Sequence, residues 1–168
     1  QIQNYEQLAQ YAFKNLDPAS DIYFSQGPMD VLDHSCSKLG FGGKMCIDGT
    51  AKFEEEKDDN SSWKSVNNDW LQTITDRYEE VQAVNSSLLE KQIPVLVISV
   101  KKTRKGQIRD LHQKLCEAAE MEGVKMVLYV EHTVNANDLT VALWRFCNNL
   151  DPKRDSTLVQ RPSRLDES

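Results

Sequence analysis

Apolar residues along the chain recur with spacings that alternate between helix and strand. Tyr5, Leu8, Ala12, Phe13 and Leu16 lie on one helical face, and Asn4 stands where an N-cap side chain belongs. Asp17-Pro18 ends that helix, because proline disfavours helical backbone in the residue before it. Residues 22–25 then read as a short strand. Residues 26–50 carry Gly27, Pro28, Gly40, Gly42, Gly43 and Gly49 and read as irregular chain, followed by a charged, solvated connection at 54–59. Trp70, Leu71, Ile74, Tyr78 and Val81 predict a second helix. The run 93–100 is nearly all apolar and rich in β-branched residues, as in a strand covered on both faces.

Ile108, Leu111, Leu115, Ala118 and Ala119 form the stripe of a third helix, stopped by Gly123. Residues 125–130 predict another buried strand. Asn137 is placed to cap a fourth helix with the stripe Leu139, Leu143, Phe146, Cys147 and Leu150. Asp151-Pro152 stops it, and 157–160 predict a last short strand. Strand, helix, strand, helix, strand from residue 93 onward is an α/β pattern with right-handed crossovers. The expected fold is a mixed, mostly parallel sheet with helices on both faces.

Two segments of the chain repeat one another. Asn15-Leu16-Asp17-Pro18 is matched by Asn149-Leu150-Asp151-Pro152, an offset of 134 residues. The same offset pairs Asp21 with Asp155, Gln26 with Gln160 and Pro28 with Pro162. After a one-residue gap, Leu32-Asp33-His34-Ser35 matches Leu165-Asp166-Glu167-Ser168. Residues 1–56 are therefore expected to be the back half of one unit, and 93–168 the front half of the next. Residues 57–92 form a charged and helical connection between them.

Composition narrows the function classes. Apolar residues make up 39% and charged residues 27%, a globular balance, and the net charge of −6 disfavours a nucleic-acid partner. No apolar run approaches the ~20 residues that cross a bilayer. No basic-then-apolar leader precedes the first helix, so a cytoplasmic location is expected. The start at Gln1, inside a helical pattern, reads as a piece of a longer protein.

Few residues suggest chemistry on their own. Cys36, Cys46, Cys116 and Cys147 are expected as free, buried thiols. His34, Cys36 and Cys46 could be pictured around a metal but lack the short Cys-x-x-Cys pairs of a zinc module. Gly40 to Lys44 fails the phosphate-loop pattern, since Lys38 stands where the first glycine should be and Met45 follows the lysine. A glycine loop folding over the sheet fits it better. Lys101, Lys102, Arg104 and Lys105 fall between a buried strand and a helix start, where cations, free N–H groups and the helix dipole all favour an anion. A solvated basic turn is the plainer alternative. His34, His112 and His132 show no Ser/His/Asp or Cys/His spacing for nucleophilic catalysis, and Trp70, Trp144 and Phe146 read as core.

The stretch Gly27-Pro28-Met29-Asp30-Val31-Leu32-Asp33-His34-Ser35, with Gly43-Lys44-Met45-Cys46-Ile47-Asp48-Gly49-Thr50, resembles UbiD-family decarboxylases. So does Val130-Glu131-His132-Thr133-Val134-Asn135-Ala136-Asn137-Asp138, with Leu143-Trp144 and Asp151-Pro152-Lys153-Arg154-Asp155. Val97-Ile98-Ser99-Val100-Lys101-Lys102 is similar to a family strand that ends in lysine before a helix. In the family the lysine and acidic strands precede the Asp-Leu-Asp turn within one unit. Here one such turn comes first and a second, degenerate one comes last, in agreement with a duplication.

The resemblance implies that residues 1–168 are the C-terminal domain of a longer carboxy-lyase acting on an aromatic or unsaturated acid. A polyprenyl-hydroxybenzoate of quinone biosynthesis is such a substrate. It implies prenylated FMN with a divalent metal (manganese) and a monovalent cation in the full-length enzyme. It also implies an upstream flavin-binding domain and a homo-oligomer. The family's catalytic arginine and glutamates lie upstream, so no catalytic or metal residue is assigned here and the piece alone is expected to be inactive. Lys101 matches a lysine near the flavin phosphate, and Pro28, Met29 and Asp30 match one wall of the substrate pocket. The alternative is a purely structural oligomerisation module without cofactor contact.

Overall fold

The computed structural model describes residues 3–30, 35–36, 38–56 and 68–159. Helix α1 (Tyr5–Asn15) begins as its sequence dictates, with the Asn4 side chain accepting the N–H groups of Glu6 and Gln7 at 3.1 Å. Its inner residues Ala9 and Phe13 reach the core, while Tyr5 and Tyr11 face outward. The half-buried Lys125 closes its far end, donating to the carbonyls of Phe13 and Leu16 at 2.7 and 2.6 Å. These are the carbonyls a helix leaves unpaired, and a cation suits the negative end of its dipole.

Strand β1 (Ile22–Pro28) pairs antiparallel with β2 (Phe41–Ile47) as an isolated two-stranded ribbon. The irregular chain expected over 26–50 is corrected here: β1 is longer than expected and β2 is a full strand. Strand glycines mark places where another backbone comes close. A Cβ on Gly43 would sit 2.1 Å from Asp151 Oδ1 and 2.7 Å from the Lys153 nitrogen, and one on Gly49 would meet the Ala12 Cβ at 2.6 Å. The glycines thus let α1 and the later Asp151 turn dock on the ribbon.

Helix α2 (Asn68–Arg77) stops one turn earlier than its apolar stripe suggested, and Val81 opens strand β3 (Val81–Asn85) instead. A short helix, α3 (Ser87–Glu90), leads into β4 (Val95–Val100). Helix α4 (Gln107–Glu117) then crosses to β5 (Met126–Glu131). The sheet order is β3-β4-β5, with β3 antiparallel and β5 parallel to β4. The sheet is mixed, as expected, but only its β4–β5 pair, joined across α4, is parallel.

Every residue of β4 is buried, and the period-2 alternation of a strand divides them between two cores. Leu96, Ile98 and Val100 pack with Trp70, Leu71, Ile74, Leu111 and Leu115 of α2 and α4. Val95 and Val97 pack with Leu128, Val130 and Ala142, and with Ala9 and Phe13 of α1. Helices therefore cover both faces. Helix α5 (Leu139–Asn149) is capped by Asp138, whose side chain accepts the Val141 N–H at 3.1 Å, rather than by Asn137. Beyond the one-turn α6 (Pro152–Asp155), residues 157–159 join no strand among the described residues, and Leu158 and Val159 are exposed.

The two repeated turns share one hydrogen-bond scheme. The Asp17 N–H donates to Asp21 Oδ2 at 2.7 Å, the Asp21 N–H returns to the Asp17 carbonyl at 2.9 Å, and the Ala19 N–H reaches Asp17 Oδ1 at 2.9 Å. In the second turn Asp151 N–H donates to Asp155 Oδ2 at 2.9 Å and Asp155 N–H to the Asp151 carbonyl at 2.9 Å. The Lys153 N–H reaches Asp151 Oδ1 at 3.2 Å. The repeat's later positions, Gln160 to Ser168 and residues 31–34, lie outside the described residues.

Candidate functional site

The carboxyl ends of β4 and β5 are where an α/β sheet opens a crevice between strand and crossover helix. Here that crevice is a cleft of about 150 Å³ lined by Val100, Lys102, Ile108, Tyr129, Val130 and Glu131. Lys101 leaves β4 exposed, and its N–H donates to the Glu80 carbonyl at 2.8 Å, which anchors the basic turn to the start of β3. The turn holds its own shape through Gln107, a buried amide whose Oε1 accepts the N–H groups of Thr103 at 2.7 Å and Arg104 at 3.4 Å. Arg104 is tied to Asp110 at 2.6 Å, and Gly106 takes the left-handed backbone (φ 82°) that starts α4. Lys101, Lys102 and Lys105 stay at the surface beside that helix start.

Pro28, Met29 and Asp30 lie on the other sheet, at the end of β1. The Met29 N–H donates to the Gly40 carbonyl at 2.9 Å, and Lys44 Nζ lies 3.9 Å from the Met29 sulfur. Helix α6 docks against the ribbon. Arg154 donates to both oxygens of Asp155 at 2.7 and 2.6 Å and to the Ser35 carbonyl at 2.9 Å. Those bonds hold the Asp155 carboxyl below the usual range, against its partial burial, and the Lys102 charge adds to the effect. One carboxylate thus feels both the ribbon's docking turn and the cleft's lysine.

The glycine stretch 40–44 is the ribbon's return strand, and its backbone is committed to pairing with β1. His132 sits at the end of β5, with its N–H on the Val100 carbonyl at 3.0 Å and its Nδ1 paired to Glu131. His34 lies outside the described residues. Among the described residues no three His, Cys, Asp or Glu side chains are grouped to hold a metal ion. The thiols are free as expected but not buried: Cys46 and Cys147 are exposed and Cys36 and Cys116 half-buried. Cys46 lies on the ribbon's open face and Cys147 on the outer side of α5, which the apolar stripe alone did not reveal.

One constellation escaped the sequence. His112 and Cys116, four residues apart on α4 and therefore on one face, lie side by side, with the sulfur also 4.0 Å from Nδ1. Cys116 Sγ lies 3.5 Å from His112 Nε2, and Tyr129 of the cleft lies 3.0 Å from His112 Nδ1. The i,i+4 spacing was legible; the tyrosine came from another element.

The model of the 3-octaprenyl-4-hydroxybenzoate carboxy-lyase C-terminal domain matches residues 1–49 and 67–167. An uncharacterised protein of Helicobacter pylori strain J99 is 31% identical over 151 residues, covering 88% of this chain and 23% of that protein. An uncharacterised protein of Aquifex aeolicus is 55% identical over 42 residues, 25% of this chain and 9% of that protein. The chain thus spans about a quarter of the length of the Helicobacter relative. Among solved structures, open-form Sedimentibacter hydroxybenzoicus vanillic acid decarboxylase aligns at TM-score 0.44 and 21% identity, over 51% of this chain and 18% of that one. A second open-form structure of it aligns at TM-score 0.46 and 16% identity, over 79% and 31%.

Proposed function

The chain belongs to the UbiD (3-octaprenyl-4-hydroxybenzoate carboxy-lyase) family as a C-terminal domain, and from that premise we propose that it is the assembly and cofactor-closing part of a cytoplasmic, prenylated-FMN-dependent decarboxylase. The parent acts on an aromatic or unsaturated acid such as a polyprenyl-hydroxybenzoate, with manganese and a monovalent cation held upstream. The observation that carries this reading is the family match across both the ribbon and the β3-β4-β5 sheet. The chain's own residues set a limit on its part in the chemistry. A cleft of about 150 Å³ is well below the roughly 300 Å³ and more of ordinary ligand pockets. It does not fit a whole flavin mononucleotide, and no catalytic step is assigned to it.

A phosphate end is a different matter. Lys102 in the cleft, with Lys101 and Lys105 beside it, supplies cations at the start of α4. In this reading Lys101 approaches the phosphate of a flavin held mainly by the upstream domain. Pro28, Met29 and Asp30 close one wall of the substrate pocket from the ribbon. The two repeated units, split at 57–92, are read as one duplicated device whose second copy is degenerate.

A second reading, a homo-oligomerisation module without cofactor contact, is favoured by one feature. Helix α5 leaves Val141, Leu143 and Trp144 exposed, Trp144 by 60%. The test separates them. In the full-length protein, Lys101→Ala and Lys102→Ala should lower the retained prenylated FMN several-fold, read from flavin absorbance after gel filtration. Unchanged flavin content together with an altered oligomeric mass in Trp144→Ala would favour the module. The 168-residue chain alone should show no carboxylate loss from any substrate of the parent; turnover would overturn both readings.

A further inference from the structure

Helices α1 and α5 are counterparts under the 134-residue offset of the repeat, and both are 11 residues long. Their caps match as well. The Gln7 N–H reaches Asn4 Oδ1 at 3.1 Å, and its counterpart, the Val141 N–H, reaches Asp138 Oδ1 at 3.1 Å. Both helices then run into a Leu-Asp-Pro stop and the same turn. Two helices so alike would be expected to bury the same face, and they do not.

On α5 the inner face is Leu139, Ala142 and Phe146, spaced i, i+3, i+7, and it packs on the core formed by β4 and β5. The counterparts on α1 are Tyr5, Leu8 and Ala12. Tyr5 is 80% exposed and Leu8 43%, while Ala12 abuts Gly49 at the end of the ribbon. Helix α1 reaches the same core with Ala9 and Phe13 instead. The counterparts of those two, Leu143 and Cys147, are exposed on α5. Each helix therefore leaves open the face with which the other one packs. Single exposed apolar side chains are ordinary on a protein surface. An exchange of faces between repeat counterparts is the pattern of stacked units, in which each helix packs on its own sheet and on its neighbour's.

We propose that the α1 face bearing Tyr5 and Leu8 is a docking surface for the front half of the first unit. That partner is a strand–helix–strand segment upstream in the same polypeptide, presenting an apolar sheet face to α1 as β4 and β5 do to α5. The proposal rests on the reading of the chain as parts of two duplicated units. In the stack α1 lies between two sheets, with Tyr5 and Leu8 on the first and Ala9 and Phe13 on the second. The length of the relatives accommodates such a segment: the match to the Helicobacter protein covers 23% of it, so most of that protein lies outside the match.

Hydroxyl-radical footprinting of the unmutated full-length protein, read residue by residue in a mass spectrometer, tests this. Exposure in the structure ranks Tyr5, at 80%, ahead of Tyr11, at 54%, and Arg145, the counterpart of Tyr11, is exposed on α5 too. Docking reverses that order, with Tyr5 modified several-fold more slowly than Tyr11. Tyr5 reacting as fast as Tyr11 overturns the proposal, and that ranking needs no variant to fold. A photoreactive benzoylphenylalanine placed at Tyr5 then identifies the occupant. Cross-links within one polypeptide to an upstream strand–helix–strand segment are the expected result. Cross-links between two polypeptides overturn the proposal in favour of a second copy. Cross-links within the polypeptide to a segment without that pattern overturn it together with the duplication, whereas an exposed Tyr5 leaves the duplication standing. Neither readout depends on bound flavin, so the outcome is separate from that of the cofactor reading.

Discussion

Asp48 illustrates how a short stretch sets its own electrostatics. Its Oδ1 accepts the Thr50 hydroxyl at 2.6 Å and the Thr50 N–H at 2.9 Å, and Lys52 lies 3.0 Å from Oδ2. The Thr50 bonds, and then Lys52, bring the carboxyl down from 3.8 to about 2. A depressed carboxylate contributes stability that is present above its unfolded value and lost as pH falls through the folded one. Stability should therefore decline between pH 4 and 2, and Asp48→Asn should flatten that limb of the urea midpoint plotted against pH. Gly43 is a second case at this scale. A methyl there meets Asp151 Oδ1 and the Lys153 backbone, so Gly43→Ala should cost about 1–3 kcal/mol in chemical denaturation. Gly40→Ala meets nothing within 4 Å and pays only for its left-handed φ of 69°, about 1 kcal/mol.

Among elements, the paired aspartate turns show what pattern reading reaches. The Leu-Asp-Pro stops were legible in both copies because proline and its preceding residue act locally. What each turn docks against was not legible. Asp21 is 3.0 Å from Lys52, whereas Asp155 takes its cation from the adjacent Arg154. Asp151→Ala should lose about 1 kcal/mol of capping on α6, and Asp17→Ala loses the turn bond from the Ala19 N–H. Asp151→Ala should lose more, because that carboxylate is also packed beneath the ribbon at Gly43. Lys125 gives a further test at this scale. Replacing it with alanine strips α1 of the cation on its last carbonyls, so amide exchange should rise in α1 while β4 stays protected.

At the scale of the molecule, β4 is the wall between two cores. Ile98→Ala, at a residue with no exposure, should cost roughly 2–5 kcal/mol and loosen α2 and α4 together. Val97→Ala should act through the other face, on α1 and α5. A thermal melt with separate probes on each face would show a shared transition if the strand couples them. The α/β class, helix α1 with its Asn4 cap, the all-buried β4 and the crossover to β5 could be read from the chain alone. Each rests on spacing within one element, and spacing is a local property. The ribbon strand β2, the early end of α2 and the strand status of Val81 could not. They depend on which partner lies across a hydrogen-bond ladder or over a pair of glycines. The same division holds for chemistry. The sequence by itself determined the family resemblance and the cluster Lys101, Lys102, Arg104 and Lys105. Only the tertiary structure brought Tyr129 to His112, because that contact crosses between elements and no periodicity along one chain records it.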